Sequence, residues 1–289
     1  LVLGGTAVIY TEPAYDADKV LELVARERVL SVSLVGDAMG RPMADALARA
    51  PGAYDTSSLV AVSSGGARFS DPVKAEIRAQ LPNVMVMDQF GSSESGAQGS
   101  VRDGASGPRF AMNKETAVLD DDLQPLEPGD GRIGRLARRG HVPLGYYKDE
   151  SKTAATFPVD ANGVRWSIPG DLATVEVDGS ITVHGRGSGS INSGGEKVFP
   201  EEVEAAVKTH PGVYDAIVVG VPDDIFGQRV AVALRPRSGV VVTLEELQDH
   251  CRRHIAGYKL PRQLLLVEDI ALTAAGKPDA QAAMALFEI

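Results

Sequence analysis

Apolar residues fall in two different rhythms along this chain. Over the first ninety residues, short β-rich apolar runs at Leu30–Val35, Leu59–Val62 and Val84–Met87 predict strands. Between them, Val20, Leu23 and Val24, and then Met43, Ala46 and Leu47, recur at helical spacing. Asp71-Pro72 offers an N-cap followed by a proline at the first helical position. Strand–helix–strand repetition predicts a largely parallel sheet covered by helices. The opening LVLGGTAVIY has strand character, lacks a methionine and has no polar lead-in, so the expectation is the back part of a longer protein.

From Thr116 the rhythm shortens. Thr116–Leu119, a turn-rich Asp120–Asp130 and Ile133–Arg139 read as antiparallel hairpin material. A second strand pair, Ala173–Val177 and Ser180–His184, is joined by Asp178-Gly179, a strong hairpin signal. GRGSGSINSGGEK, starting at Gly185, has the composition of a flexible connection. Beyond it a compact α+β pattern resumes. Pro200-Glu201-Glu202 opens a helix with proline and acids in its first turn, and His210-Pro211-Gly212 closes it. Ala216–Val221 and Arg229–Arg235 read as strands. Thr243 and Glu246 form a capping box ahead of Leu244, Leu247 and Cys251 on one helix face. The expected fold class is α/β, a parallel helix-covered sheet plus a small β unit, followed by a small α+β domain. The boundaries expected are 1–115, 116–184, a connection at 185–193, and 194–289.

Composition narrows the classes. At 44% hydrophobic and 24% charged, the 289 residues suit an ordinary globular protein of two or three domains. The net charge of −10 leaves nucleic acid without an obvious partner surface. The densest basic cluster, Arg135, Arg138 and Arg139, reads as a solvated sheet face. A single cysteine, Cys251, excludes an internal disulfide and a cysteine-based zinc site, fits a reducing compartment, and reads as core rather than as a reactive thiol. No apolar run has the length of a membrane span and no secretory leader pattern is visible; the expectation is a cytoplasmic protein, with peripheral membrane contact and oligomeric state left open.

Candidate chemistry concentrates in a few short stretches. MDQFGSSESGAQGS places one carboxylate, Glu94, among serines and glycines directly after a strand. A serine-nucleophile elbow needs G-x-S-x-G, and Gly91-Ser92-Ser93-Glu94-Ser95 fails at the last glycine. The plainer reading is a solvated turn. The sharper one is that ligands bind at the carboxyl ends of strands in open α/β sheets, that small residues let a backbone approach phosphate, and that one carboxylate suits a hard cation such as Mg²⁺. Gly65 and Gly66, after the second strand, let a flat ring lie against the backbone. Asp171 precedes a strand and is placed to accept hydrogen bonds from two ribose hydroxyls; Arg186 ends the next strand within reach of the same nucleotide. Gly276-Lys277 is no Walker motif, because residue 271 is Ala and Pro278 stands where serine or threonine is needed.

In this order the pieces resemble the adenylate-forming enzymes, the acyl-CoA synthetase superfamily, over essentially the whole chain. FGSSESG is similar to the family's aromatic-G-S-T-E-x-G motif, and GYYKDESKT at 145–153 to the segment after the β hairpin. GD at 170–171 resembles the ribose motif, GRGSGSINSGGEKVFPEEVE at 185–204 the hinge and the run after it, and YKLPR and TAAGKPD the two C-terminal signatures. The resemblance implies that Gly65, Gly66 and Ala67 border adenine, that Gly91, Ser92 and Ser93 contact the nucleotide, and that Glu94 ligates Mg²⁺. It implies that Asp171 and Arg186 hold ribose and that Lys277 bridges the acyl carboxylate and the α-phosphate. It also implies that Gly194, Gly195 and Glu196 help form a tunnel for coenzyme A once residues 194–289 have turned about the hinge. Ser188 stands where the family usually has a hinge Asp or Lys, and Gly189 replaces a second common acid. The family's phosphate loop is not found in the sequence. The activity implied is ATP-dependent formation of an acyl-adenylate, then transfer to coenzyme A, with a fatty or sterol-side-chain acid as substrate and with little activity expected of these residues alone. Loading of a carrier-protein thiol and a non-catalytic nucleotide-binding remnant stand as the alternatives.

Overall fold

The computed structural model describes residues 4–101 and 109–287. Their contacts gather into two compact units, one running through Asp88 and the other from Gln89 onward. In the first unit, α1 (Ala17–Glu27) starts at Asp16, whose carboxylate accepts the amides of Asp18 and Lys19. Its buried stripe is Val20, Leu21 and Val24, with Leu21 rather than Leu23 at the centre. β1 (Ser31–Leu34) pairs in parallel with β2 (Ala61–Gly65) through α2 (Gly36–Arg49), the predicted strand–helix–strand unit. α3 (Asp71–Gln80) takes Ser70 as its N-cap, one residue before the expected Asp71, with proline in its first turn. Leu21, Met43, Val62, Phe69, Val73 and Ile77 fill the core. Of the strand-like opening, Leu1–Leu3 lie outside the described residues and Gly4–Tyr10 form no strand, with Ile9 72% exposed.

β3 (Met85–Ser92) is longer than its apolar run and extends to Ser92. Within it Asp88 is partly buried, and that burial pushes its carboxyl up to about 6, against the pull of Lys74 and Arg68. A raised folded value makes the ionised form the costly one. The associated stability is complete below the unfolded value near 4 and lost as pH rises through about 6. Asp88→Asn is therefore expected to stabilise the protein at pH 7.5 by about 1–3 kcal/mol and to give almost nothing below pH 4. Denaturant midpoints of the variant and the parent at the two pH values check this, and a gain independent of pH would refute it.

In the second unit, β4 (Gly96–Val101) follows β3 through a three-residue turn. An antiparallel sheet is built from β5 (Arg109–Phe110), β6 (Thr116–Leu119), β7 (Gly134–Arg138), β8 (Asp171–Val175) and β9 (Ile181–Arg186), in the order β5-β9-β8-β7-β6. α4 (Glu150–Thr156) lies between β7 and β8 in the chain. Both predicted hairpins form, and Gly179 takes the left-handed φ of +76° that the Asp-Gly turn requires. The basic cluster is a solvated face only at Arg139, which is exposed. Arg135 donates to the carbonyls of Asp120 and Asp121, at 2.7 and 3.1 Å, and Arg138 is tied into the β3–β4 turn, as described below.

The segment read as a flexible connection is largely ordered into secondary structure. Gly187–Gly189, which includes Ser188, make a 3-10 turn. β10 (Ile191–Ser193) and β11 (Glu196–Val198) form a hairpin over Gly194-Gly195, whose φ values of +63° and +88° suit a type I′ turn. The two glycines serve a tight turn rather than looseness. α5 (Pro200–Lys208) begins at the expected proline. β12 (Val213–Asp223) and β13 (Gly227–Pro236) are the predicted strand pair, extended at both ends. α6 (Leu244–Cys251) carries the complete capping box. β14 (Gln263–Leu266), which the apolar pattern did not predict, pairs in parallel with β13, and α7 (Ala280–Ala285) follows. Cys251 is fully buried, and burial pushes its thiol up to about 11, as a core residue should behave. Among the described residues no helix is long and apolar enough to cross a membrane.

Candidate functional site

The turn that carries Glu94 is built by its neighbours. Gly91 permits it: a Cβ there would lie 2.3 Å from the carbonyl oxygen of Gly96. Gly96 itself takes a φ of +62°. Inside the turn the hydroxyls of Ser92 and Ser95 are 2.9 Å apart, the Ser95 amide donates to Ser92 Oγ, and Ser95 Oγ donates to Gln98 Oε1 at 3.0 Å. From outside, Arg138 donates to the carbonyls of Ser95 and Ala97 at 2.6 and 3.1 Å while pairing with Glu115 at 2.8 Å. Ser167 Oγ donates to the backbone carbonyl of Glu94 at 2.8 Å. The serines of this loop thus divide: Ser92 and Ser95 shape the turn, and Ser93 stands exposed at its tip.

Tyr146 donates its hydroxyl to Glu94 Oε1 at 2.7 Å. That hydrogen bond holds the Glu94 carboxyl below its ordinary range, with a smaller pull from Arg186, so the group is an anion at neutral pH. Sequence reasoning gave Tyr146 no role, although it lies in the quoted segment GYYKDESKT. The signal was a tyrosine in a polar stretch, which does not by itself name a partner. Tyr146 is fixed in turn by Lys152, whose ammonium lies 4.1 Å from its ring centroid, and by the Thr153 hydroxyl, which accepts its amide at 2.8 Å. Arg138 and Ser167 were likewise missed as supports of the turn.

Asp171 and Arg186 face each other across the β8–β9 ladder, with Arg186 Nε 3.9 Å from Asp171 Oδ1. A register shift after Leu172 marks this end of the pair. Asp171 is only 9% exposed, while the Arg186 side chain stands largely in solvent. Burial raises the Asp171 carboxyl, Arg186 opposes that, Glu94 adds to it and Lys277 opposes it again. Three of the candidate charges, from three segments of the chain, are therefore near enough to act on one carboxyl. Lys277 is exposed on a turn in which Thr273 donates its amide to the Lys277 carbonyl at 2.7 Å and Gly276 takes a φ of +74°. Gly194 and Gly195 occupy the β10–β11 turn and Glu196 opens β11, all exposed.

Gly65, Gly66 and Ala67 belong to the first unit and continue from the end of β2. Gly66 has a φ of +79°. The neighbouring backbone is tied down. Gly36 donates its amide to Ser64 Oγ at 2.8 Å, Asp37 donates to the Arg68 carbonyl at 2.9 Å, and Asp37 accepts the Ser70 amide at 2.8 Å.

For a divalent cation, the donor chemistry fits one kind of ion. Among the described residues no three His, Cys, Asp or Glu side chains are grouped to hold a metal by themselves. A lone ionised carboxylate beside an exposed hydroxyl suits Mg²⁺, which retains waters and takes most of its remaining ligands from substrate phosphates.

Comparison with known proteins gives the family. The family model for AMP-binding enzymes matches residues 1–147, and that for the AMP-binding enzyme C-terminal domain matches residues 202–277. The chain is 52% identical over 287 residues to a medium/long-chain-fatty-acid–CoA/3-oxocholest-4-en-26-oate–CoA ligase of Mycolicibacterium smegmatis, covering 96% of this chain and 52% of that protein. It is 47% identical to a 3-oxocholest-4-en-26-oate–CoA ligase of Rhodococcus rhodochrous, covering 96% of this chain and 51% of that one. Among solved structures, the amide bond synthetase McbA of Marinactinospora thermotolerans superposes with a TM-score of 0.79 at 29% identity, over 94% of this chain and 55% of that one. The chain thus spans about half the length of the curated relatives it matches. With family models matching both parts of the chain, it belongs to the AMP-binding enzymes.

Proposed function

We propose that these residues are part of an acyl-CoA synthetase that uses ATP to convert a carboxylic acid into an acyl-adenylate and then passes the acyl group to coenzyme A. The observation that carries this reading is the pairing of Arg186 with the buried Asp171 at 3.9 Å, with Glu94 and Lys277 near enough to act on the same carboxyl. In the first step the acid's carboxylate oxygen attacks the α-phosphorus and pyrophosphate leaves. Two anions must meet, so the site has to supply positive charge aimed at the growing negative charge. Lys277 supplies it from the C-terminal part, and Arg186, paired with Asp171, adds a second positive charge. Asp171, held close by burial and by Arg186, accepts from the ribose hydroxyls and orients the nucleotide. Glu94, kept anionic by Tyr146, would hold the cation. Mg²⁺ bound there would offset phosphate charge. Gly91, Ser92 and Ser93 bring a backbone without bulky side chains to the phosphates. Gly65, Gly66 and Ala67 are proposed for the adenine on the first unit's backbone alone, which offers a flat ring a face with only one methyl group. In the second step the thiol of coenzyme A displaces AMP, with Gly194, Gly195 and Glu196 proposed to line its approach after residues 194–289 turn about 185–193.

The substrate proposed is a fatty or sterol-side-chain acid, in keeping with the names of the two ligases above, and the location proposed is cytoplasmic. The test is acid-dependent release of pyrophosphate by the full-length protein, with medium- and long-chain fatty acids and a sterol-side-chain acid, followed by acyl transfer to coenzyme A or to a holo-carrier protein. Thioester formation on free coenzyme A is expected. Transfer to the carrier alone would reassign the acceptor, and nucleotide binding with no turnover of any acid would make the protein a non-catalytic remnant. Residues 1–289 alone are expected to exchange pyrophosphate far more slowly than the full-length protein.

A further inference from the structure

The Gly/Ser-rich segment that starts at Gly185 is bridged by side chains from its two sides. On one side, β9 ends in His184-Gly185-Arg186. On the other stand Phe199, which is the N-cap of α5, and Glu201 in that helix's first turn. The His184 ring stacks on Phe199 with centroids 5.2 Å apart and planes 25° from parallel. Phe199 is 4% exposed. Gly185 is the seat of a second contact. A Cβ at that position would lie 2.3 Å from the carboxyl carbon of Glu201, so the carboxylate occupies the space a side chain would fill. One residue along α5, Glu202 receives both its oxygens' contacts from Lys259, at 2.7 Å each, which ties the first turn of the helix to the segment after α6.

These contacts can exist only while the start of α5 lies against the end of β9. In that same arrangement Lys277 acts on Asp171. The fit is also incomplete, because His184 Nε2 is buried without a hydrogen-bond partner among the described residues. A buried polar atom left unpaired is a standing cost of the docked arrangement. An apolar ring in the same place would stack without that cost.

We propose that His184 and Gly185, with Phe199 and Glu201, form a release latch that holds the C-terminal part of the chain with Lys277 at the nucleotide end and opens for the thioester step. This rests on the two-step reading above and assigns His184 as a positioning residue that touches no substrate. Removing the ring weakens the docked arrangement. Replacing it with an apolar ring keeps the stack and removes the unpaired nitrogen, which strengthens it.

The test uses the full-length protein with the two half-reactions measured separately. His184→Ala is expected to slow adenylate formation by a factor of roughly 3–10, while conversion of supplied acyl-adenylate by coenzyme A is unchanged or faster. His184→Phe is expected to do the reverse, sparing adenylation and slowing the thioester step by a similar factor. A second readout follows the movement itself, with a fluorophore pair at Val177→Cys and Val241→Cys, positions 86% and 76% exposed, while buried Cys251 stays unlabelled. Without coenzyme A, His184→Ala should lower the population at the docked distance and His184→Phe should raise it. If His184→Ala does not accumulate as folded protein, His184→Phe carries the test. Equal changes in both half-reactions, or unchanged rates with unchanged label distances, would overturn the latch. Should the parent protein fail to adenylate any acid, the function reading falls, and the label distances still decide whether His184 sets the docked population.

Discussion

Lys277→Ala in the full-length protein is expected to slow adenylate formation by a factor on the order of 10² or more, and to leave the conversion of supplied acyl-adenylate to thioester nearly unchanged. The lysine stands on a tight turn near the C-terminal end of the described chain, and its charge acts on the buried carboxyl of Asp171. In the proposed reaction that cation offsets the negative charge that builds at the α-phosphate as the acid attacks. By the second step residues 194–289 are proposed to have turned, so the same ammonium is elsewhere and its loss should not be felt. The measurement is a pair of rates on one variant, carboxylate-dependent pyrophosphate exchange and thioester formation from synthetic acyl-adenylate. A surface lysine would change neither rate. A lysine that merely holds the fold would lower both equally, and either outcome would remove the residue from the chemistry.

Replacing Glu94 by Gln should separate metal use from acceptor binding. The exchange keeps the shape of the side chain and removes one anionic oxygen from a hard cation, whose preference is for charged oxygen ligands. Adenylate formation is expected to fall by a factor on the order of 10² at low Mg²⁺ and to recover in part as Mg²⁺ is raised, with binding of coenzyme A little changed. Tyr146 gives this prediction a pH arm. Its hydrogen bond is the leading cause of the lowered Glu94 carboxyl, so that anion and whatever depends on it persist at neutral pH and are lost as pH falls through the depressed folded value. Tyr146→Phe should therefore shift the acid limb of adenylation to higher pH, toward the ordinary carboxylate range. A magnesium requirement unaltered in Glu94→Gln would take Glu94 out of the metal site.

Much of this molecule was legible in its sequence, and the legible parts share one property: their signals are local. The period of apolar residues distinguished the helix-covered sheet of the first ninety residues from the hairpins after Thr116. Turn chemistry fixed Asp178-Gly179, where the left-handed backbone admits glycine without strain. Thr243 and Glu246 satisfy each other's end of a helix within four residues, so their capping box needs nothing from the rest of the fold. The quoted motifs, in their order, were enough to suggest the family.

Where the sequence reading stopped, the deciding contact was distant. The glycines at 194 and 195 looked like slack because composition alone cannot tell a linker from a type I′ turn; the partner strands that settle it lie on either side. β14 has no alternation of its own and became a strand by pairing with β13, at Ala231↔Gln263 and onward. Arg138 looked like surface charge until the fold set it against the carbonyls of Ser95 and Ala97, some forty residues away in the chain. Tyr146 and Glu94, and His184 and Phe199, are pairs of ordinary residues until register and packing bring them within a bond or a stack of each other. The sequence alone settled those elements, turns and caps whose free energy comes from neighbours along the backbone. Only the tertiary structure decided which charged and aromatic groups meet, because those energies depend on distances that no local pattern specifies.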